Sequence, residues 1–300
     1  MKIYAICLVK NEDDVISQTL VYATRYCDRI FVIDNGSTDR TWEIVQSLSS
    51  QHPQIVPFVQ TPEPFDNGLR WMPYLTHHHE LTDMDWWMIL DSDEFLVEDP
   101  RPVIQQAMDE GADIIKVWQI QFYYTDKDYE AWVAGQDNRD SPIFARRRYY
   151  RIDHQEPRFF RNQSTGSWEN SFLSRTLPVP PWIRRAKSGD YYRRVPNRKG
   201  RISRRRILNR HYQYRDPVQI EQRLRLRLKT PQGFRHVKSS GSTDWRSVLR
   251  ASKNLDYHEE GKPWRFSLSG LANYYPRWLR YVLSSRLRRA RRWLSEVVGA

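Results

Sequence analysis

Trp86-Trp87-Met88-Ile89-Leu90-Asp91-Ser92-Asp93-Glu94-Phe95 is the stretch on which the fold turns. Five apolar residues in a row match a strand buried on both faces. The run stops at three carboxylates within four residues. Like charges at that spacing repel, and burial disfavours each charged form. A bound divalent cation relieves both costs, because Mg2+ and Mn2+ prefer oxygen ligands and share carboxylates with substrate phosphates. In an extended chain Asp91 and Asp93 point to one side and Ser92 to the other. Ligands of open α/β sheets collect at the carboxyl ends of strands, where this cluster sits. A solvated acidic turn is the plain alternative, since Asp-x-Asp triplets are common by chance.

Working outward, residues 3–9 form another continuous apolar run, and they lead into Lys10-Asn11-Glu12. Asn11 and Asp14 have the spacing of an acidic capping box. Val15, Ile16, Thr19, Leu20, Ala23 and Tyr26 then recur at helical spacing. Residues 29–33 read as a strand that closes on Asp34-Asn35-Gly36, a strong turn signal. Ser37 or Thr38 is placed to cap a helix whose inner face is Trp42, Val45 and Leu48. A strand over 55–59, a helix over 69–81 after Asp66-Asn67-Gly68, a helix over 103–108 and a strand over 114–124 follow. Strands alternating with helices predict an α/β fold with a mostly parallel central sheet and helices on both faces. From 125 to 210 the pattern degrades into a segment rich in Arg, Tyr and Pro. Periodicity returns in a helix over 217–229, and residues 230–275 read as loop. The expected division is 1–125, 126–230 and a basic extension 231–300.

Twelve Trp, 17 Tyr and 11 Phe in a 39% hydrophobic chain exclude wholesale disorder and leave aromatic faces over for sugars. The net charge of +12 conceals a division. Residues 1–140 hold 10 Lys/Arg against 25 Asp/Glu (−15), and residues 141–300 hold 38 against 11 (+27). A basic surface attracts phosphate, on a nucleotide, a nucleic acid or an anionic lipid. Cys7 and Cys27 fall in core-forming segments, so no disulfide framework is expected and a reducing cytoplasm is the default. The first residues lack the flanks of a signal peptide, and no apolar run reaches the roughly 18 residues of a membrane span.

Lys10-Asn11-Glu12, then Asp34-Asn35-Gly36-Ser37-Thr38-Asp39-Arg40-Thr41, then Asp91-Ser92-Asp93-Glu94-Phe95 together resemble the successive signatures of family 2 glycosyltransferases. The resemblance covers residues 1–125 and is specific as a set. It implies the GT-A fold, a nucleotide-diphospho-sugar donor, and Mn2+ or Mg2+ as cofactor. It places the donor against Val9, Asn11 and Glu12, with Asp34 toward base or ribose in a pocket shaped by Asn35 and Asp39. Asp91 and Ser92 border the same pocket. Asp93, with Asp91, would hold the metal, His211 would complete the metal or diphosphate site, and Arg70 would face the phosphates. It further implies inversion at the anomeric carbon in a single displacement. The bland counterparts are a turn with a helix cap, a surface arginine and a structural histidine.

Transfer also needs a base for the acceptor hydroxyl. Glu169, beside Trp168, is the first candidate and Asp137 the second, with Asp140 also available; all three have a solvated loop acid as their plain reading. Arg146 to Arg151 and Arg204 to Arg206 read as a nucleic-acid stripe or as a positive rim around an anionic site. No recognition-module signature accompanies them, so the rim is preferred and nucleic acid is not the expected partner. Leu279, Leu283, Leu287, Leu294 and Val297 recur among arginines, with Trp278 and Trp293 nearby. An amphipathic helix at about 277–298 of this kind suits an anionic membrane surface, the alternative being a helix docked on the enzyme's own core. The expected function is transfer of a sugar to a glycan or lipid-linked acceptor in cell-surface polysaccharide synthesis. The enzyme would be cytoplasmic or peripheral on the cytoplasmic membrane face. A nucleic-acid-binding protein and a silent glycan-binding scaffold are the rivals.

Overall fold

The computed structural model describes residues 1–62, 65, 67–164, 200–229 and 241–267. Strand β1 (Ile3–Val9) is buried along its whole length. It pairs in parallel with β2 (Arg29–Asp34), which carries β3 (Ile55–Gln60) on its far side. On its other flank β1 pairs in parallel with β4 (Trp86–Asp91). The register opposes Val9 to Asp34 and Leu8 to Asp91. Three separate apolar runs therefore end level with one another, and each ends on a polar motif at the same edge of the sheet.

Alternation along β1 sorts its side chains between two cores. Ala5, Cys7 and Val9 face helices α1 (Ile16–Ala23) and α2 (Thr41–Gln51) together with α4 (Arg101–Asp109). Tyr4, Ile6 and Leu8 face Trp71 and Tyr74 of α3 (Trp71–His77). Helix α3 lies between two 3-10 turns, Asn67–Arg70 and His78–Glu80, so the expected helix over 69–81 is present in three pieces. Cys7 and Cys27 are buried and free, as expected.

Past Asp91 the chain adds β5 (Glu94–Leu96) and β6 (Ile114–Phe122), then α5 (Asp126–Val133), α6 (Ile143–Arg146) and β7 (Tyr149–Arg161). Strand β8 (Ile207–His211), α7 (Pro217–Lys229) and β9 (Asp256–Tyr257) complete the described elements. The strand order is β3-β2-β1-β4-β7-β6-β8-β5, with β9 on β7. The first four strands are parallel, while β7 runs antiparallel to β4 and β6. This is the α/β layering expected from the sequence, with a mixed second half.

The segment over 125–210 is not all irregular: it contains a strand of 13 residues in the middle of the sheet. Its periodicity is hidden by two register shifts against β6. At the first, Ile115 opposes Phe159 and Lys116 opposes Pro157, which leaves Arg158 without an opposite residue. A bulge bends the strand and re-aims the extra side chain, and it is also where a proline is tolerated inside a sheet.

Two helix starts differ from expectation. Asn11 adopts left-handed backbone (φ 55°), and α1 begins only at Ile16, so Asn11 and Asp14 form no capping box. Helix α2 begins at Thr41, whose N–H donates to Asp39 Oδ1 at 3.0 Å. The N-cap position, Arg40, makes no side-chain cap, and Ser37 and Thr38 are drawn to the loop after β1 instead.

Candidate functional site

The strand-end edge has two walls. The first is the corner where the loop after β1 meets the loop after β2. Asn35 N–H donates to the Val9 carbonyl (2.9 Å), and Lys10 Nζ donates to the Asn35 carbonyl (2.8 Å). The N–H of Asn11 donates to Ser37 Oγ (2.9 Å), and Thr38 N–H donates back to Asn11 Oδ1 (2.8 Å). Glu12 N–H donates to Thr41 Oγ1 at 2.8 Å. Gly36 lets the second loop turn, with φ at +73° and the Thr61 and Pro62 backbone 3.4 Å from where a Cβ would stand. Asp34 is fully buried. Its Oδ1 accepts from Ser37 N–H (2.8 Å) and Gln60 Nε2 (3.3 Å), while Oδ2 accepts no hydrogen bond.

The second wall is the acidic cluster, and arginines from distant parts of the chain fill it. Asp91 accepts from Arg70 through Oδ1 (2.5 Å) and from Arg158 through Oδ2 (2.8 Å). Arg158, re-aimed by its bulge, also holds both oxygens of Glu94 at 2.5 and 2.7 Å and lies 2.9 Å from Glu156. Gln119 Nε2 donates to Glu94 Oε1 as well (2.7 Å). Glu94 thus supports the wall from behind. Arg158 is desolvated, but the carboxylates of Glu94, Asp91 and Glu156 outweigh that and hold its charge firmly.

Asp93 lies at the centre of a second network. Its Oδ1 is 3.4 Å from His211 Nε2, and its Oδ2 is 3.0 Å from Arg223 Nη2 and 3.7 Å from Arg215 Nη1. These are charge contacts whose geometry leaves Oδ2 without a hydrogen bond. Arg215 is fixed by Asp14 at 2.6 and 2.8 Å, by Glu12 Oε2 at 2.5 Å and by the Tyr212 carbonyl at 3.0 Å. Arg223 bridges the same pair of walls, donating to Glu12 Oε1 at 2.8 Å. Burial works against the Asp93 charge, yet Arg223, His211 and Arg215 together hold its carboxyl well below the usual range. Glu12 goes the other way: burial, with the charges of Asp93 and Asp14, raises its pKa despite Arg215 and Arg223. Burial of His211 disfavours its cation, but Asp93 and Glu94 outweigh it and raise its pKa.

The structure therefore brings Val9, Asn11, Glu12, Asp34, Asn35, Asp39, Arg70, Asp91, Ser92, Asp93 and His211 to one edge. His211 arrives because β5 and β8 pair Glu94 directly with His211. Glu169 and the helix at 277–298 lie outside the described residues. Asp137 is elsewhere: Arg146 Nε (2.7 Å) and Arg147 Nη2 (2.5 Å) each hold one of its oxygens. Burial is outweighed by those two arginines, and the Asp137 pKa is lowered. Arg146 and Arg147 are accordingly not a positive rim. Their side chains are about as buried as Asp137, and they pack with Asp137, Asp128 and Asp216. Asp140 borders a cleft of about 530 Å³ with Asp13, Gln18, Arg40, Arg139 and Phe144. The site residues that local spacing does not single out are Arg158, Arg215 and Arg223; Asp14 carries a spacing signal only as half of a capping box.

Among the described residues no three His, Cys, Asp or Glu side chains converge as a ready metal site. A cation at Asp93 would therefore take one or two ligands from the chain and the rest from phosphate and water, a common arrangement for Mg2+. The unbonded Asp93 Oδ2 and the adjacent His211 imidazole fit that role.

The family model described as Glycosyl transferase family 2 matches residues 5–176. Similar solved structures include S. aureus TarS residues 1–349, at 13% identity over 79% of this chain and 68% of that one, with a TM-score of 0.40. The same TarS fragment in complex with UDP gives 14% identity over 79% and 68%, with a TM-score of 0.39. Mannosyltransferase PcManGT from Pyrobaculum calidifontis, in complex with GDP-Man and Mn2+, gives 15% over 46% and 48%, with a TM-score of 0.32. No curated protein matches the chain. The family match spans more than half of the sequence and takes in all three strand-end motifs, on an α/β sheet of the GT-A kind, so this chain belongs to glycosyl transferase family 2, the glycosyltransferases that draw on nucleotide sugars.

Proposed function

We propose that this chain transfers a sugar, with inversion, from a nucleotide-diphospho-sugar to a hydroxyl of a glycan or lipid-linked acceptor. The observation that carries the reading is that two buried carboxylate oxygens at this edge, Asp34 Oδ2 and Asp93 Oδ2, accept no hydrogen bond among the described residues. One stands on each wall of the strand-end edge. A buried acceptor atom without a donor calls for a ligand to supply one. On this reading Asp34 takes a hydroxyl or base N–H of the nucleoside. Asp93, with His211 beside it, holds Mn2+ or Mg2+ on the diphosphate, and Asp91, whose two oxygens accept from Arg70 and Arg158, borders that position. The cation, when bound, neutralises charge that builds on the leaving diphosphate.

The chain's own part is to fix geometry and charge. The interlocked loops seat the nucleoside, and Arg70 keeps a guanidinium beside Asp91 on the phosphate side. The acceptor oxygen attacks the anomeric carbon from the face opposite the diphosphate. The new C–O bond forms as the bond to the phosphate oxygen breaks and its electron pair leaves with the diphosphate. The acceptor proton passes to a carboxylate. Glu169 is our candidate for that base. Asp137 suits it less well, because a carboxylate already gripped by two guanidinium groups has little basicity to lend. Asp140, beside its cleft, is the remaining choice.

Attachment through residues 277–298 would set the enzyme on an anionic cytoplasmic membrane face, beside a lipid-linked or surface-polysaccharide acceptor. Among the described residues no helix is long and apolar enough to cross a membrane. Flotation with anionic liposomes, compared with a chain lacking 277–300, tests the attachment; unchanged flotation rules that segment out as the anchor. For the chemistry, the test is turnover of a panel of nucleotide sugars with Mn2+ or Mg2+. Turnover that needs the cation and is lost in Asp93→Asn is expected. Donor binding with no turnover under any metal condition overturns the reading.

A further inference from the structure

We propose that Arg223 is a displaceable counter-cation: it occupies Asp93 in the empty enzyme, gives way to the divalent cation, and moves onto the donor diphosphate. The inference rests on the reading that Asp93 holds the cation.

Two arginines neutralise the same carboxylates, and they are not equivalent. The Arg215 side chain is 0% exposed, and its guanidinium is tied to Asp14 through two hydrogen bonds, to Glu12 and to the Tyr212 carbonyl. It has no route out without stripping Asp14 of its partner. The Arg223 side chain is 19% exposed, and among the described residues its charge contacts are to Glu12 and Asp93. A long side chain held by two contacts at a solvent edge can turn to another rotamer. The hydrogen bonding of the contacts differs too. Arg223 makes an aligned hydrogen bond to Glu12 Oε1, but its 3.0 Å approach to Asp93 Oδ2 makes none. Arg223 thus supplies charge to Asp93 without taking up its lone pair.

Glu12, Asp14 and Asp93 carry three negative charges against the two of Arg215 and Arg223. A cation entering at Asp93 meets the Arg223 charge at close range, and the two repel. The incoming diphosphate is the one new anion at that edge, and the released guanidinium has a fork that matches phosphate oxygens. Arg223 would then offset the charge of the leaving group from the α7 side, opposite Arg70.

Competition gives Arg223 opposite effects on two ligands, which a structural residue does not. The probes are Mn2+ alone, followed by electron paramagnetic resonance, and inorganic pyrophosphate in the presence of saturating Mn2+. Both are applied to the full chain and to Arg223→Gln, Arg223→Lys and Asp93→Asn. Arg223→Gln is expected to bind Mn2+ alone about fivefold or more tighter than the wild type and pyrophosphate about fivefold or more weaker, the size of an ordinary coupling between two sites. Arg223→Lys keeps the charge and should stay near the wild type for Mn2+, which guards against a variant that merely loosens the fold. Mn2+ affinity unchanged or lowered in Arg223→Gln overturns the displacement, and unchanged pyrophosphate affinity overturns the transfer to diphosphate. Mn2+ binding that survives in Asp93→Asn is a different failure: it removes the cation from Asp93 and with it the underlying reading.

Discussion

The two walls of the site neutralise their polar groups by opposite means. Where the loop after β1 meets the loop after β2, the hydrogen bonds that lock the two loops join partners no more than 29 positions apart, and backbone N–H groups do most of the donating. At the acidic cluster, the side-chain partners of Asp91, Asp93 and Glu94 come from residues 70, 119, 158, 211, 215 and 223, and all but Gln119 are basic. The corner is a local structure, assembled as two loops form. The cluster exists only once β7, β8 and α7 have docked. A buried charge whose partner is removed costs far more than a lost neutral hydrogen bond, so the second wall is the more fragile and the more tunable.

The comparison breaks most readily at Asp93. Asp93→Asn keeps the shape of the side chain but removes its negative charge and turns one oxygen into an NH2 donor, and turnover should fall roughly 100- to 1,000-fold, in line with loss of one electrostatic stabiliser. Steady-state kinetics on the donor found active in the panel measures this; a loss under tenfold would put the chemistry elsewhere.

Arg158→Met sharpens the same wall from the stability side. Asp91, Glu94 and Glu156 lose a buried partner that itself is 1% exposed, and unfolding free energy should drop by about 3–5 kcal/mol. Urea denaturation decides it, with an intact melt meaning that Glu94 is held by Gln119 alone.

Asp137 is a control that lies off both walls. Its folded-state pKa is depressed by Arg147 and Arg146, so its stabilisation is present above the ordinary carboxylate range and is lost as pH falls through the folded value. Asp137→Asn should destabilise by about 1–2 kcal/mol at pH 7. The gap to the wild type should narrow as pH is lowered below that range, because the wild-type carboxylate then protonates as well. A gap independent of pH would mean that the loss is one of packing.

At the corner the effects are smaller. Ser37→Ala removes one acceptor from Asn11 N–H and should cost about 1 kcal/mol. Donor affinity should fall only a few-fold, since the backbone N–H of residue 37 and Gln60 both still donate to Asp34. Isothermal titration with the nucleotide alone checks the affinity, and an abolished titration would show that the corner depends on Ser37 far more than its single bond implies.

The corner was largely legible beforehand. Apolar runs of four to seven residues that stop just before Lys10-Asn11, Asp34 and Asp91 announce strands, and Asp34-Asn35-Gly36 announces its turn. The finer assignments failed where several oxygen-bearing side chains compete for few N–H groups: Asp39 accepts from the Thr41 N–H, and Ser37 and Thr38 go to Asn11. The cluster was legible only on its acidic side. Its basic side, Arg70 apart, carries no signal, since an arginine in a loop or at a bulge shows no period that distinguishes a buried ion pair from a solvated charge. Arg146 and Arg147 illustrate this, and the Arg158 bulge, with Pro157 beside it, hid both a residue and its strand.

What the sequence by itself determined is the parallel half of the sheet, the level at which its strands stop, and the acids placed there, because burial patterns and turn residues act over a few positions. Only the tertiary structure decided how those acids are neutralised. Arg158 reaches Asp91 and Glu94 from 67 and 64 positions away, and Arg215 reaches Glu12 and Asp14 from more than 200. Charge pairing depends on distance in space and on exclusion of water, and neither is written in the order of residues along the chain.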